Sequence, residues 1–447
     1  MTAVQKNRPR KEARAGRGKP APAARASPAP RRKLRGWLDQ LGPGLITGAA
    51  DDDPSGIATY SQAGAQFGYQ LGWTLVLTYP LMVGIQMVSA RMGRVTGRGL
   101  AANIRAQFPR VVLYLIVFML VIANTINIAA DIAAMGDALN LLVGGNEHAP
   151  VVVIGLTCLV LQVFMPYQRY VRYLKWLTLA LLAYVAVIFT VGMPWGAALG
   201  GIVWPHVRLD AASLTVIVAV FGTTISPYLF FWQAAQEVED LKADPAAEPL
   251  KRSPEGARKH LRRIKIDTYL GMGFSNLIGL FILLSTAATL HAAGVTDIET
   301  SAQAAQALRP LAGNFAFLLF SLGIIGTGLL AVPVLAGSAA YAMAETFKWP
   351  AGLDLKLLQA REFYAIIALA TLGGVAIDFA PIDPIKALFW SAVINGVIAV
   401  PIMIVTMLLA DDPKVMGDFT ITRRLKLLGW MATWTMAAAV FAMFATR

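Results

Sequence analysis

The apolar residues of this chain fall in runs of about 20, each long enough to cross roughly 30 Å of hydrocarbon as a helix. A segment in hydrocarbon must satisfy its own backbone polar groups, so such runs leave only helical spans or closed barrels as solutions. Continuous rather than alternating apolarity selects helices. Hydrophobic residues make up 56% of the 447 and charged residues 15%, against roughly 25% charge in soluble domains. A large soluble domain is excluded, as are collagen, coiled coils and disulfide scaffolds. The single cysteine, Cys158, has no internal partner and sits in an apolar run as a small packing residue.

Eleven spans are expected, at about 43–67, 71–92, 109–135, 150–167, 172–194, 211–236, 266–290, 314–344, 362–379, 384–408 and 424–445. The net charge of +13 resides mostly in residues 1–36, which hold 12 Lys or Arg and one acid, Glu12. That Ala- and Pro-rich segment is too polar to fold alone and reads as a disordered basic cytoplasmic tail, not a nucleic-acid site. It has no apolar core of a secretory signal. With the N-terminus inside, 35 of the 39 basic residues fall on the inner side, as the positive-inside rule requires. Only Arg208, Arg309, Lys386 and Arg447 fall outside. The odd span count puts the C-terminus outside. The one sizeable inner loop, 238–265, is charged and expected to face solvent. The expected setting is a bacterial inner membrane.

Two spans are interrupted. The first carries Asp51-Asp52-Asp53-Pro54-Ser55-Gly56, and the sixth carries Gly222-Thr223-Thr224-Ile225-Ser226-Pro227-Tyr228. Each proline removes an amide donor amid small polar residues. Unwound backbone at membrane depth is tolerated only against protein or a water-filled cavity. Breaks in spans one and six occupy corresponding positions if spans 1–5 and 6–10 are inverted repeats, which points to a midplane site in a secondary transporter. The expected organisation is repeat one at about 40–195, repeat two at about 210–410 and an extra helix at about 424–445 within a domain of residues 37–447.

An ionisable side chain at a break is costly in the bilayer and reads as functional by default. Asp53 beside a freed carbonyl such as that of Ala50 forms a hard oxygen site for a cation. Its simpler alternative is to cap the second half-helix. Asp51 and Asp52 cannot both share one ion with Asp53 while charged. They are read as acids of a water-exposed vestibule that concentrates cations, with direct ligation by one of them left open. Thr223 offers a hydroxyl or carbonyl, and Ser226 a hydroxyl, used directly or through water. His148, His206, His260 and His291 lie near span ends and are read as solvated. Asn395, in span ten, either meets a hydrated ion on the outer route or bonds a neighbouring helix. Gly337-Ser338-Ala339-Ala340 reads as a close helix contact. Neither His-Glu-x-x-His nor Gly-x-Ser-x-Gly occurs, so enzymatic activity is not expected. An acid triplet also disfavours an organic substrate bearing a carboxylate.

The Gly42-Pro43-Gly44 stretch, the Asp53-Pro54-Ser55-Gly56 turn, Gly64-Ala65-Gln66-Phe67-Gly68-Tyr69, Asp131-Ile132-Ala133 and Ala138-Leu139-Asn140-Leu141-Leu142 resemble the NRAMP divalent-metal transporters. The resemblance covers roughly residues 40–410. It implies an all-α fold of the LeuT type, a 5+5 inverted repeat with broken helices 1 and 6 plus an eleventh helix. It also implies a metal held between the breaks as transported cargo, with no cofactor. A metal ion and the lipid bilayer are the expected partners, with no obligate protein partner. The usual family pattern Asp-Pro-Gly-Asn here ends in Gly56. The usual Met-Pro-His of helix 6 is Ser226-Pro227-Tyr228, and the acid expected three residues after Asp131 is Ala134. These departures are similar to the NRAMP-related magnesium transporters. Oxygen ligands suit Mg²⁺ and Mn²⁺, and Mg²⁺ usually keeps several waters, for which small residues at 56 and 226 leave room. Tyrosine, with a reference pKa near 10, is a poor proton shuttle at neutral pH. Asp131 is either a relict of a relay or a hydrogen-bond anchor. The expectation is transport of Mg²⁺ and Mn²⁺ with weak or no proton coupling. The alternative is a proton-coupled Mn²⁺ or Fe²⁺ symporter of the main branch.

Overall fold

The computed structural model describes residues 48, 50–145, 148–165, 177–244, 246–353, 355–377, 379 and 383–446. The expected basic tail, the Gly42-Pro43-Gly44 stretch and the inner-side residues Arg169, Arg172 and Lys175 lie outside them. Every regular element among the described residues is helical.

The break in the first span falls where the acids and the proline place it. Ala50 and Asp51 are still helical, Asp52 and Asp53 are not, and α1 (Pro54–Phe67) begins at the proline. Proline suits the first helical position because its missing amide would be unpaired there anyway. Asp53 has extended backbone angles and accepts from the Gly56 amide as an N-cap. A 3₁₀ turn, Gly68–Leu71, joins α1 to α2 (Gly72–Thr96). Then follow α3 (Arg110–Val143), α4 (His148–Phe164) and α5 (Leu182–Thr190), the last preceded by a 3₁₀ turn from Leu177. The sixth span is α6 (Ala211–Thr224) and α7 (Pro227–Ala243), parted at Ile225 and Ser226. The chain continues through α8 (Ala257–Thr286), α9 (Ala316–Phe347), α10 (Arg361–Ile377), α11 (Pro384–Asp411) and α12 (Arg423–Ala445). Seven helical stretches among the described residues are long and apolar enough to cross a membrane. One of them, Pro54–Thr96, holds parts of two expected spans. The spans expected at 150–167, 172–194 and 362–379 appear as α4, the stretch ending in α5, and α10.

Lipid tails are as apolar as leucine, so helices in a bilayer cohere through close packing and interhelical hydrogen bonds. Both are present here. α1 packs against α3, α6, α8 and α11, which makes the broken helix the centre of the bundle. α6 and α11 touch backbone to backbone at Gly222 and Gly396. A Cβ on Gly222 would lie 2.0 Å from the Ala392 carbonyl oxygen and 2.5 Å from the Gly396 nitrogen. The small-residue run in α9 is a close contact as expected, since a Cβ on Gly337 would lie 2.7 Å from the Trp232 ring.

At the inner ends, Arg263 pairs with Glu237 at 2.6 Å and with Asp240 at 3.0 Å, and Arg94 pairs with Asp240 at 3.3 Å. These pairs tie α2, α7 and α8 together. The charged inner loop is largely exposed, but it is tethered. The amides of Leu250 and Lys251 donate to the carbonyls of Arg94 and Val95.

Candidate functional site

The two interruptions meet. A Cβ on Gly56 would lie 3.2 Å from Thr223 Oγ1, 3.4 Å from Asp53 Oδ1 and 3.5 Å from the Asp51 carbonyl oxygen. Three oxygens from both broken helices thus converge on the space that the missing side chain leaves open. Thr223 Oγ1 and Tyr60 Oη face one another, and neither makes a hydrogen bond of ordinary geometry. Asp53, Thr223 and Ser226 are each 1% exposed.

Asp53 acts as a cap and is also positioned for more. Its Oδ1 accepts from Ser55 Oγ at 2.8 Å and from the Gly56 amide at 2.7 Å. Its Oδ2 accepts from Asn127 Nδ2 on α3 at 3.1 Å. Ser226 turns its hydroxyl back on its own helix, toward the carbonyls of Thr223 at 2.7 Å and Gly222 at 3.0 Å. That spends its single proton and leaves the oxygen able to accept or ligate. Tyr228 is fully buried, and its phenol donates to the Ala50 carbonyl at 3.3 Å beside the Asp53 carboxyl.

Asp51 and Asp52, expected in a water-exposed vestibule, are buried at 1% and 3% exposure. Both carboxyls turn to Ser275 of α8, at 2.7 and 2.9 Å from its Oγ. A hydroxyl has one proton, so it donates to one carboxyl; the second contact is satisfied only when that other carboxyl is itself protonated. Asp51, the last helical residue before the break, and Asp52, the first beyond it, both point across at α8, whereas Asp53 faces Asn127 of α3 and Tyr228 of α7.

Asp131 is fully buried within electrostatic reach of Asp53 and close to the Ser55 amide, outside ordinary hydrogen-bond geometry. Asn395 is buried with neither side-chain atom paired. Of the histidines read as solvated, His291 bonds the Ala65 carbonyl and His260 bonds Arg94, so both are structural contacts at helix ends. Sequence reading missed Asn127, Ser275 and Ser391. For Asn127 a signal existed: Asn124, Asn127 and Asp131 recur at helical spacing in an otherwise apolar span and share one face. Asn124 bonds Ser338 and the Leu335 carbonyl of α9, which makes it an anchor of the bundle.

A cavity of about 380 Å³ opens beside α1, lined by Ala58, Gln62, Gln66, Thr215, Lys386 and Trp390 among others. Ala58 stands five residues beyond Asp53, about 7.5 Å of helix rise. Gln62 holds the wall of this cavity by accepting from the Ile298 amide at 2.9 Å and donating to the Thr296 carbonyl at 3.2 Å. Among the described residues no three His, Cys, Asp or Glu side chains form a metal-holding group.

The chain matches the family model for natural resistance-associated macrophage protein-like (Nramp) proteins over residues 44–446. Among solved structures it is similar to the Eremococcus coleocola manganese transporter in complex with an aromatic bis-isothiourea compound. Identity there is 18%, covering 91% of this chain and 87% of that one, with a TM-score of 0.70. A histidine-to-alanine mutant of the same transporter matches at 17% identity, with 92% and 87% coverage and a TM-score of 0.72. Mhp1, a nucleobase-cation-symport-1 family transporter in a closed conformation, matches at 14% identity, with 91% and 92% coverage and a TM-score of 0.55. These likenesses show the fold to be that of the LeuT-type transporters, all-helical and built on broken first and sixth helices.

Proposed function

Given that this chain belongs to the Nramp family of metal-ion transporters, which are integral membrane proteins and not enzymes, we propose that its cargo is Mg²⁺, carried partly hydrated, with Mn²⁺ also accepted. The observation that carries the reading is the oxygen-lined space at Gly56, bounded by Asp53, Thr223 and the Asp51 carbonyl. Hard oxygen donors suit Mg²⁺ and Mn²⁺ and offer nothing to ions that favour thioether sulfur. Mg²⁺ dehydrates reluctantly, so the missing side chain at Gly56 favours it. Ala50, Gly56, Thr223 and Ser226 border the ion and Asp53 supplies the charge. Asp51, Asp52, Tyr228, Asp131 and Asn395 surround it.

Transport runs by alternating access, between the cavity beside α1 and the inner ion-pair cluster. The N-terminus lies on the cytoplasmic side of a bacterial inner membrane and the end of α12 on the outer side, as the basic residues favour. The two repeats span about 40–195 and 210–410. No proton need accompany the ion. A divalent cation moving inward gains ~4.6 kcal/mol per 100 mV of membrane potential, and the usual histidine is replaced by Tyr228. Asp131, retained near Asp53, favours a second reading, a proton-coupled Mn²⁺ or Fe²⁺ symporter.

Liposome uptake of Mg²⁺, Mn²⁺ and Cd²⁺ in parallel, with a pH dye inside, separates the two. Mg²⁺ and Mn²⁺ influx without acidification is expected. Acidification coupled to uptake, or Cd²⁺ uptake with Mg²⁺ excluded, establishes the second reading.

A further inference from the structure

The inner turns of α8 divide their side chains between two faces. On one, His260 bonds Arg94 at 2.8 Å, Arg263 pairs with Glu237 at 2.6 Å, and Ile264 and Asp267 are buried. On the other, Arg258, Lys259, Arg262 and Lys265 are exposed, at the three- and four-residue spacing that keeps side chains on one side of a helix. Among the described residues none of these four pairs with a carboxylate. Lys265 leans over the Tyr269 ring at 5.9 Å. Residues 251–265 carry seven Lys or Arg against one acid, Glu255. The exposed face then continues as Ile266, Leu270, Phe274 and Leu277, each 46–48% exposed. One helix face is thus cationic in its first half and apolar in its second.

The change falls at a definite depth. Ser275 touches Asp51 and Asp52 at the break, and interrupted helices of transporters meet near the bilayer midplane. Lys265 stands ten residues nearer the inner end, ~15 Å of helix rise. Half of a hydrocarbon core ~30 Å thick is the same distance, and a tilt of ~20° shortens it by only about 1 Å. The four cations therefore stand at headgroup level and the four apolar side chains among the acyl chains. A phospholipid meets both halves at once, its chains along the apolar stripe and its phosphate at the cations. A soluble acidic partner would have to displace headgroups to reach Arg262 and Lys265. Arginine and phosphate also form short, charge-assisted hydrogen bonds. We propose that this face of α8 binds an anionic phospholipid of the leaflet that surrounds the inner ion-pair cluster. The lipid sits on the outside of the same turns whose inner side holds Arg94, Glu237 and Asp240, so it braces the helix end on which that cluster is built.

The test places the full chain in phosphatidylcholine nanodiscs that hold a minor share of photoreactive phosphatidylglycerol, with crosslinked peptides mapped by mass spectrometry. The stretch 258–270 captures phosphatidylglycerol at least about fivefold more than the same share of photoreactive phosphatidylcholine, since each basic residue near an anionic surface is worth about that factor. Arg258→Gln, Lys259→Gln and Arg262→Gln each lower the capture about fivefold. The double variant Arg423→Gln with Arg424→Gln, which removes exposed cations at the start of α12, leaves it at the wild-type value. Equal capture of the two lipids by the wild-type chain overturns the proposal and needs no variant. An equal loss in the α12 double variant also overturns it, because a diffuse surface charge then replaces a site. Unchanged capture when Arg258, Lys259 and Arg262 are all replaced by glutamine overturns it as well. Every substituted side chain is exposed, so these variants keep the fold.

Discussion

Replacing Gly56 with asparagine would return the family's usual residue to the break, and the structure sets the size of the effect. The new Cβ would lie 3.2 Å from Thr223 Oγ1, 3.4 Å from Asp53 Oδ1 and 3.5 Å from the Asp51 carbonyl oxygen. The closest of these is tight by only a few tenths of an ångström, and its neighbour is a threonine hydroxyl with no hydrogen bond to lose. The Cβ itself is therefore accommodated, at a cost of ~1 kcal/mol or less and a shift of about 3 °C at most in thermal midpoint. The three further heavy atoms of the amide enter the space between Asp53 and Thr223. A water takes up ~30 Å³ of liquid volume, so the amide displaces about one to two waters and offers one carbonyl ligand in return. Mg²⁺, which gives up water reluctantly, should lose at least about tenfold in initial uptake, the equivalent of ~1.4 kcal/mol. Mn²⁺ uptake should change by about twofold or less, because the added oxygen also suits that ion. Paired liposome assays of the two ions on variant and parent read the result directly. Equal loss of both, or undiminished Mg²⁺ uptake, refutes the argument that this glycine preserves room for hydration.

Four other outcomes follow from the same geometry. Gly222→Leu places a side chain where α6 and α11 meet backbone to backbone, so it should abolish folded protein on size exclusion. Arg263→Ala leaves the fully buried Glu237 carboxyl without its 2.6 Å partner. A loss of about 2–3 kcal/mol is expected by denaturation, below the usual cost for a fully buried pair because Arg263 is partly exposed. Tyr228→Phe removes a 3.3 Å contact to the Ala50 carbonyl and a hydroxyl beside the Asp53 carboxyl, neither of them a short bond, so Mg²⁺ uptake should stay within about threefold of the parent. Ser275→Ala removes the hydroxyl shared by Asp51 and Asp52. It should lower thermal stability by about 1–3 kcal/mol without altering the Mg²⁺ to Mn²⁺ uptake ratio.

The breaks were legible because proline and small polar residues in apolar runs can mean little else at membrane depth, and Pro54 and Pro227 each start a half-helix. The meeting of the two breaks was legible too, and Gly56 and Thr223 do lie together. The directions of side chains beside the break were not. Asp51, Asp52 and Asp53 are consecutive and the helix ends after Asp51, yet the first two turn to Ser275 and the third to Asn127. The backbone angles through the break decide this, and helix ends are legible in a sequence only to within a residue or so. Ser275 and Ser391 gave no signal, because a lone serine in a membrane helix most often bonds its own carbonyls, as Ser285 and Ser338 do here. The polar stripe Asn124, Asn127 and Asp131 did carry one, in its spacing alone.

The central claim is that one carboxylate at the junction of two broken helices holds the ion. Crystals soaked in Mn²⁺ and measured at an energy where manganese scatters anomalously test it most directly. The account predicts a peak between the Asp53 carboxylate and Thr223, lost in Asp53→Ala. A peak at Asp51, Asp52 and Ser275 with Asp53 vacant, or one that persists in Asp53→Ala, contradicts it.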